Sequence, residues 1–566
     1  MKNLMLLILF CLGCFLVVEY ATSSDDSPPI SPPERVIQYD EGIFGKINLH
    51  DLANTQVTTY SPLIYVKRPG YVSQFANRMA IDKGQKHFFK YEADREDSRY
   101  VYNYLERDLN LLDSTQDHTQ LLRDYFHDLV AKEGVAANPM AKRLAMARSY
   151  DLEILLNFRI NDVHWGGPTP AKPELQSEFW LNHPEYYVNP SGTKWKDGAL
   201  NVAIPEVQEY LLQFYKEAVN LFDNDGILID MMRNPTLFPP GTGWENRGHM
   251  TEFLHKVRQI LDQSVASGEA RPVLGIKVPP TLAYCEREGM DVRTWMEEGL
   301  VDFISIGTFI KQDPNLQVKA FRNDLGNAAD FPLYATIQRR NYGHAYPASF
   351  GQYRGMIANM LGNETADGLL LFNFMETSRE MYYDWVEGNM VHGPHQKLWK
   401  EIGSLETLAG RNKVYSIAWG YEPQYPDLPF FHPLPVSIPA GETTGLYMGV
   451  YEDLANQTPE RLVLCLQFRP EAEVNISWNG TQLSAISAGE ARVPIERITG
   501  QGVKAKAKGA NDDTIERIYR YFQIPVEALE DGRNTLNIEA LNSDSVEVIR
   551  ADLFVGYGPE ETHGYF

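Results

Sequence analysis

Asp230 is the residue whose position most directly indicates chemistry in this chain. It ends the short apolar run 226–229, which is typical of a buried strand. An ionised carboxylate in that position is costly unless it is paired with a base or takes part in a reaction. Active sites of proteins built from parallel strands and helices lie at this end of the strands. Asp230 is therefore the first candidate for a catalytic residue, with a structural ion pair to Arg233 or Lys277 as the alternative.

Polar side chains also follow the other predicted strands, and successive strands of a barrel each deliver such groups to one pocket. Two carboxylates on neighbouring strands can divide the roles of acid and base between them. Asp162 and Glu376 are the candidates for a second catalytic carboxylate beside Asp230. The residues expected to bind the substrate are Arg159, Asn161, His164, Trp165, Arg233, Lys277, Gln338, Arg339 and Asn373.

Strand and helix signals alternate from Gly42 onward, which predicts parallel strands joined by helical crossovers. Strands are predicted near 43–49, 86–91, 152–159, 226–231, 273–278, 301–307, 333–337 and 368–374. Helices are predicted near 205–222, 250–265, 291–298, 352–361 and 395–409. Eight strands favour an α/β fold of the (β/α)8 TIM-barrel type. An open doubly wound sheet is the alternative, but no glycine-rich phosphate loop follows the first strand.

The pattern changes near Tyr415 to short runs of alternating apolar and polar residues. Such runs lie at 444–451, 461–468, 473–478, 516–524, 534–541 and 546–556. Asn479-Gly480 is a strong signal for a tight hairpin turn. Regular short strands separated by turns predict a C-terminal all-β sandwich. The predicted domains are a signal peptide at 1–23, a Pro-rich leader at 24–40, a barrel at 41–411 and a sandwich at 412–560.

The N-terminus has the pattern of a secretory signal peptide. Lys2 precedes an apolar run at 4–18 that is short for a membrane span, and small residues follow it up to Ser23. We expect a secreted or periplasmic protein with no stable membrane span. A lipoprotein anchor at Cys14 is the less favoured alternative, because apolar residues continue beyond that cysteine.

Composition limits the partners and cofactors of the chain. The formal net charge is −23, which argues against binding to nucleic acid or to an anionic membrane surface. Asp162, His164, Asp230 and His249 could compete as metal ligands, but no pair of histidines has the spacing of a hydrolytic metal site. We therefore predict no metal and no cofactor; the sequence does not indicate an oligomeric state.

The segment 183–235 resembles the central part of the bacterial glycosyl-hydrolase-like family 10 barrels. The matching positions are His183, Pro184, Asn201, Pro205, Glu206, Val207, Phe222, Asp225, Gly226, Ile227 and Asp230. The resemblance implies a TIM barrel that acts on carbohydrate. Many of these proteins have a second acid directly after the strand, where this chain has Met231, Met232 and Arg233.

Together these features predict a secreted glycoside hydrolase that cleaves a polysaccharide or oligosaccharide by carboxylate acid–base chemistry. Aromatic residues in the inserted loops could stack on sugar rings: Trp165, Trp180, Trp195, Trp244 and Tyr342. Basic residues near the strand ends favour an acidic sugar as substrate: Arg159, Arg233, Lys277, Arg339 and Arg340. The alternatives are a non-catalytic glycan-binding barrel, in which the bases only neutralise the acids, and a metal-dependent hydrolase.

Overall fold

The structure is a computed structural model of the 566-residue chain. It describes residues 35–40, 49–69, 71–75, 127–163, 167–168, 176–266, 268–308, 311–326, 330–338, 340–341, 350–372, 384–386, 389–391, 398–417, 433–469, 473–491, 518–541 and 545–558. The predicted signal peptide lies outside these residues. So do the predicted site residues His164, Trp165, Arg339, Asn373 and Glu376.

Eight parallel strands close into a barrel, which confirms the predicted fold class. The strands are β1 Val36–Asp40, β2 Thr59–Tyr65, β3 Glu153–Arg159, β4 Gly226–Asp230, β5 Val273–Val278, β6 Phe303–Ile306, β7 Leu333–Gln338 and β8 Gly368–Phe372. Each strand pairs with its neighbours in chain order, and β1 closes the barrel against β8. The carboxyl ends of all eight strands therefore face the same side of the barrel.

Alternation along the strands decides which side chains enter the barrel. Ile37, Leu155, Leu228, Phe303 and Leu370 form an apolar cluster inside it. Residues an even number of positions further along the same strands also point inward. At the carboxyl end these are Tyr39, Arg159, Asp230, Lys277 and Phe372, so the inner layer there is mostly polar. Pairing brings Asp230 level with Arg159 on one side and with Lys277 on the other.

Helices cover the outside of the barrel. They are α1 Pro139–Ser149, α2 Glu178–Asn182, α3 Pro205–Leu221, α4 Gly243–Ser264, α5 Leu282–Arg287, α6 Val292–Glu297, α7 Val318–Leu325, α8 Phe350–Gly362 and α9 Leu405–Leu408. Short 3-10 helices lie at Leu49–Leu52, Val135–Ala137, Pro184–Tyr186 and Trp195–Gly198. Helix α3 begins with Pro205 and buries Val207, Leu211, Phe214 and Ala218, the stripe that the sequence predicts.

An antiparallel sandwich follows the barrel, as predicted. Its strands are β9 Lys413–Ser416, β10 Val436–Ile438, β11 Thr443–Val450, β12 Arg461–Arg469, β13 Val474–Trp478, β14 Thr481–Leu483, β15 Ala485–Ile486, β16 Ile518–Gln523, β17 Gly532–Ala540 and β18 Val546–Gly556. One sheet has the order β9-β18-β12-β16-β15, with β10 also paired to β18. The other has the order β11-β17-β13-β14. Buried residues from both sheets form one core, among them Leu464, Trp478, Leu536 and Leu553.

The remaining described elements are short. Lys311–Gln312 pairs with Arg340–Asn341, and Asp384–Val386 pairs with Asn389–Val391. The sandwich region also contains helix α10 Ala488–Ala491 and the 3-10 helix Val526–Ala528. In the region predicted as a helix at 395–409, residues 398–399 are helical, a turn follows at 400–403, and helix α9 comes after it; residues 395–397 lie outside the described ranges.

The first two barrel strands differ from the prediction. Strand β1 lies inside the segment 24–40 that was assigned to the leader, so the barrel begins before residue 41. The predicted strand at 86–91 lies outside the described residues, and so does the predicted strand at 43–49 except for Leu49, which is in a 3-10 helix. The second strand is Thr59–Tyr65 instead. It contains Pro62, which lacks the backbone donor of an ordinary strand residue and hides the strand signal.

Candidate active site

Asp230 lies at the carboxyl end of β4, inside the barrel, with only 1% of its surface exposed. Its Oδ1 accepts hydrogen bonds from the backbone N–H groups of Met232 (3.1 Å) and Arg233 (3.0 Å). Its Oδ2 accepts one from the Tyr39 hydroxyl at 3.1 Å. The turn after the strand and a side chain from β1 therefore hold this carboxylate in a fixed orientation.

Two buried cations flank the same carboxylate. The Lys277 Nζ lies 3.5 Å from Oδ1, and the Arg159 Nε lies 3.6 Å from Oδ2. Both cations come from the strands adjacent to β4, at the same level of the barrel. Opposite charges this close favour the ionised form of a carboxylate. The Asp230 carboxylate therefore has an ionic partner on each of the two neighbouring strands.

Arg159 connects the two predicted catalytic aspartates. Besides approaching Asp230, its guanidinium donates to the Tyr39 hydroxyl at 2.8 Å and to Asp162 Oδ2 at 3.2 Å. One guanidinium therefore contacts both aspartates, which brings two carboxyl groups to the same end of the barrel.

Lys277 is completely buried, and its Nζ lies 3.4 Å from the centre of the Phe372 ring across the barrel. Among the described residues this amine has the ionic contact with Asp230 and no hydrogen bond within geometric limits. Burial lowers the pKa of Lys277 to about 8; the charge of Asp230 opposes this shift, and those of Arg159 and Arg233 add to it. The amine thus has donor capacity that Asp230 does not use.

Lys67 is a second buried amine on this side of the barrel. It follows β2, donates to the Gln176 side chain and lies 5.3 Å from the Trp180 ring centre. Burial lowers the pKa of Lys67 to about 7, which the charge of Asp162 opposes. Lys67 and Tyr39 are not among the site residues that the sequence predicts, because β2 has no clear strand pattern and β1 lies in the predicted leader.

Three other residues predicted to bind the substrate, Asn161, Gln338 and Arg233, differ in burial and in hydrogen bonding. Asn161 donates to the carbonyls of Leu200 (2.8 Å) and Thr236 (2.7 Å) and accepts from the Leu200 N–H. Its side chain therefore links the segment at Leu200 to the segment at Thr236. Gln338 is buried at the end of β7 and donates to the Thr308 carbonyl at 2.7 Å. Arg233 is half-buried after β4. The substrate-binding roles of these three residues stay predictions.

Two of the tryptophans predicted to contact sugar have contrasting environments. Trp180 is buried, stacks on Tyr187 and donates to the Gly198 carbonyl, so it holds the loop that follows α2. Trp244 is 42% exposed, and the Arg247 guanidinium covers its ring at 4.2 Å. Trp244 therefore has a surface that a ligand can reach, whereas Trp180 acts through packing.

Within the described ranges, no group of three or more His, Cys, Asp or Glu side chains has the arrangement of a metal site. In the same ranges no helix has the length and apolar character needed to cross a membrane. Cys285 and Cys465 are buried free thiols in separate domains.

No family model matches the chain, and no curated protein matches it in sequence. The resemblance to the glycosyl-hydrolase-like family 10 barrels is therefore not confirmed. Similar solved structures include a Paenibacillus cycloisomaltooligosaccharide glucanotransferase in complex with cycloisomaltoheptaose, with 10% identity, a TM-score of 0.28, and coverage of 92% of this chain and 57% of that one. Another is α-L-fucosidase isoenzyme 2 of Paenibacillus thiaminolyticus, with 10% identity, a TM-score of 0.36, and coverage of 65% and 48%.

A third similar structure is the α-amylase of Geobacillus thermoleovorans in complex with acarbose. It has 12% identity and a TM-score of 0.33, and the match covers 92% of this chain and 98% of that one. The chain spans about half the length of the first two structures. A likeness at these TM-scores carries no information about function, and the barrel is established by its strand pairing alone.

The geometry of the barrel end limits its chemistry. Asp230 is held in one orientation between two cations, and a carboxylate placed in this way can stabilise a positive charge or attack a carbon atom. Arg159 and Lys277 can hold an anion, because each offers donors at the same inner layer of the barrel. Asp40, the neighbouring acid on β1, points to the outer side, where Arg143 (2.7 Å) and the Tyr60 hydroxyl (2.9 Å) bind it.

Proposed function

We propose that the protein hydrolyses glycosidic bonds at the carboxyl end of its barrel. The observation that carries this proposal is the pair of buried aspartates, Asp230 at the end of β4 and Asp162 in the segment after β3, which both contact the Arg159 guanidinium. Glycosidases use two carboxyl groups around an oxocarbenium-like transition state. A fixed anion at Asp230 would stabilise the positive charge that develops on the sugar ring.

The two carboxyl groups have different roles in this proposal. Asp230 acts as the ionised group, either as nucleophile or as electrostatic stabiliser, because two cations and three hydrogen-bond donors surround it. The proton for the leaving group comes from the second carboxyl, Asp162 or Glu376. Asp162 can take this role only if substrate binding draws Arg159 away from it, because an ion pair with arginine stabilises the charged form.

We further propose that the substrate carries an acidic group. Two buried cations, Arg159 and Lys277, offset the two buried aspartates at this end of the barrel, and Lys67, whose pKa burial lowers to about 7, adds a partial positive charge near Asp162. The whole chain is strongly acidic, with a net charge of −23. Basic groups collected in one pocket of a negative molecule attract an anion to that pocket. A uronate or sulfated sugar fits these donors.

A non-catalytic glycan-binding barrel is the second candidate. The observation that favours it is the burial of Asp230 with both oxygens engaged, which is also the pattern of a structural charge cluster. The hydrolase and the glycan-binding protein differ in whether products are released. A hydrolase releases products from a glycan that it binds, whereas a binding protein leaves the glycan intact.

A hydrolysis screen with matched variants distinguishes these functions. The purified full chain is incubated with neutral, uronate-containing and sulfated oligosaccharides, and reducing ends are counted. We expect release from an acidic substrate, loss of release in Asp162→Asn, and no change in Asp223→Asn, which alters an exposed acid on the opposite side of β4. High salt should slow the reaction on the acidic substrate. Binding without release of products would support the second candidate.

The signal-peptide prediction belongs to the same proposal. Residues 1–23 carry the pattern of an exported protein, and an extracellular or periplasmic hydrolase would meet polysaccharide there. Expression of the full-length gene followed by N-terminal sequencing of the exported protein tests this point. Cleavage near Ser23 is expected. A lipid on Cys14 would show an anchored protein, and an uncleaved chain in the cytoplasm would refute export.

A further inference from the structure

A cleft separates the barrel from the sandwich on the side of helices α7 and α8. It has a volume of about 660 Å³, and the strands β11 and β17 form its sandwich side. Ligand sites in proteins measure about 300–1,000 Å³ and often lie at domain interfaces. Tyr39, Arg159, Asp230 and Lys277 are not among the residues that line it. The cleft is therefore a separate place from the proposed catalytic centre.

The lining of this cleft is unusually rich in carboxamide side chains. Five of them contribute to it: Asn315, Gln317, Asn323, Asn359 and Asn363. A carboxamide offers both donors and acceptors, and so does a sugar hydroxyl, which makes the two groups complementary. Gln317 and Asn323 are exposed, and neither side chain takes part in a hydrogen bond within the part of the chain that the structure describes. Their amides are available to a ligand.

An exposed aromatic ring stands in the sandwich wall of the cleft. Tyr447 has 43% of its surface exposed, on the outward face of strand β11, where exposed and buried residues alternate. The Arg533 guanidinium lies 3.5 Å from the centre of its ring and fixes the orientation of both side chains. Flat aromatic surfaces pack against the C–H face of a pyranose while polar neighbours bind its hydroxyls.

Two glycines, Gly449 and Gly532, line the sandwich side of the cleft, and hydrogen bonds of Asn363 fix its barrel side. A Cβ atom on Gly449 would come within 2.6 Å of the Asn359 side chain, and Gly532 has a φ of +97°. The Asn363 amide donates to Asn359 (2.6 Å) and to the Val450 carbonyl (2.9 Å), so it bridges helix α8 and strand β11. These contacts give the cleft a defined shape.

Three of the residues that line the cleft are charged, two cations and one acid. Lys319 and Arg533 are cations, and Glu364 is an acid whose carboxylate accepts the Lys319 backbone N–H at 3.1 Å. A phosphate or sulfate site would need a cluster of bases with aligned donors, which this lining does not offer. The amides and the ring instead match a neutral ligand that is rich in hydroxyl groups.

We infer that this cleft is a second carbohydrate-binding site, which holds a short segment of a neutral oligosaccharide away from the catalytic centre. Tyr447 stacks on one ring, and the carboxamides bind the hydroxyls of the adjacent units. A site of this kind would tether the protein to a polymer while the barrel acts on another part. The inference does not depend on hydrolysis, since binding alone is required.

Isothermal titration of the full chain with cellopentaose, chitopentaose and maltoheptaose tests the inference. We expect saturable binding of at least one probe. Tyr447→Ala should weaken it by about tenfold or more, whereas Tyr447→Phe should retain it because the ring remains. Gln482→Ala is the matched control, since Gln482 is an exposed polar residue on β14, the far edge strand of the same sheet. It should leave the affinity unchanged.

Two results would overturn the inference. One is the absence of saturable binding for all three probes. The other is binding that is equally strong in Tyr447→Ala, which would place the ligand elsewhere on the chain. Failure of the proposed hydrolysis would be recognised separately, because it would remove product release without changing the effect of Tyr447→Ala on affinity.

Discussion

Replacement of Asp230 by asparagine removes one charge and one hydrogen-bond acceptor from the barrel interior. Asparagine has the same shape and keeps an oxygen that can accept the Met232 and Arg233 backbone N–H groups, but the amide nitrogen that takes the place of Oδ2 cannot accept from the Tyr39 hydroxyl. The larger loss is the attraction to Lys277 at 3.5 Å and to Arg159 at 3.6 Å. At an effective dielectric constant of about 20, each contact corresponds to roughly 5 kcal/mol of Coulomb attraction.

The desolvation of the three charged groups offsets most of that attraction in the folded protein. Removal of Asp230 leaves Lys277 buried without its ionic partner, and the loss of one partner of a buried pair typically costs about 3–5 kcal/mol. We therefore expect Asp230→Asn to lower the free energy of unfolding of the barrel by about 3–5 kcal/mol. Asp223→Asn breaks an ion pair whose acid is 67% exposed, and it should cost about 0–1 kcal/mol.

A compensating change tests the cause of this loss. Lys277→Met removes the cation, and the thioether can pack on the neighbouring Phe372 ring. Arg159 keeps Asp162 as its partner at 3.2 Å. The double variant Asp230→Asn with Lys277→Met should therefore recover a large part of the lost stability while remaining unable to hydrolyse a glycan.

Urea unfolding measures these differences, with tryptophan fluorescence and far-ultraviolet circular dichroism as two probes. Because the barrel and the sandwich could unfold in separate steps, only the transition that both probes assign to the barrel is compared. A change of less than about 1 kcal/mol for Asp230→Asn would refute the buried charge cluster. A double variant that is less stable than Asp230→Asn would also contradict it.

Two further predictions concern Lys277 and Gly226. A lysine whose folded pKa lies below its unfolded value binds fewer protons when folded, so stability should rise between pH 8 and about 10.5, at up to about 1.4 kcal/mol per pH unit. Urea unfolding across this window should show the rise in the wild type relative to Lys277→Met; equal slopes would contradict the buried amine. Gly226→Ala should prevent barrel folding, because its Cβ would lie 2.0 Å from the Val273 carbonyl oxygen at a φ of +150°. Gly241→Ala, at a φ of +82° with open space around it, should cost only about 1 kcal/mol, and similar melting temperatures for the two variants would refute this reasoning.

The later strands of the barrel could be predicted because each has a simple local pattern. The runs that end at Asp230 and at Val278 are apolar, short and bounded by turn residues, and the observed strands agree with them. Strands β1 and β2 lacked such patterns. Val36–Asp40 directly follows a proline-rich stretch, and Pro62 interrupts the apolar run of Thr59–Tyr65. Tertiary pairing stabilises both strands in spite of these local signals.

The candidate site was predictable only in part for the same reason. Arg159, Asp230 and Lys277 lie at the ends of strands with clear patterns, so their assembly follows from the barrel geometry. The contact of Tyr39 with Asp230 joins residues 191 positions apart in the sequence, and no local sequence pattern predicts a contact over such a separation. Lys67 comes close to Asp162 only because β2 and β3 are neighbours in the barrel.

Hydrolysis of an acidic oligosaccharide by the wild type and by the double variant Asp230→Asn with Lys277→Met is the most direct test of the central claim. The double variant is expected to be folded, so any loss of turnover reports on chemistry at the barrel end rather than on unfolding. We predict that the wild type releases reducing ends and that the variant releases none above background, with matching circular dichroism spectra. Equal rates for the two proteins, or no release by the wild type from any glycan that it binds, would contradict a catalytic role for Asp230.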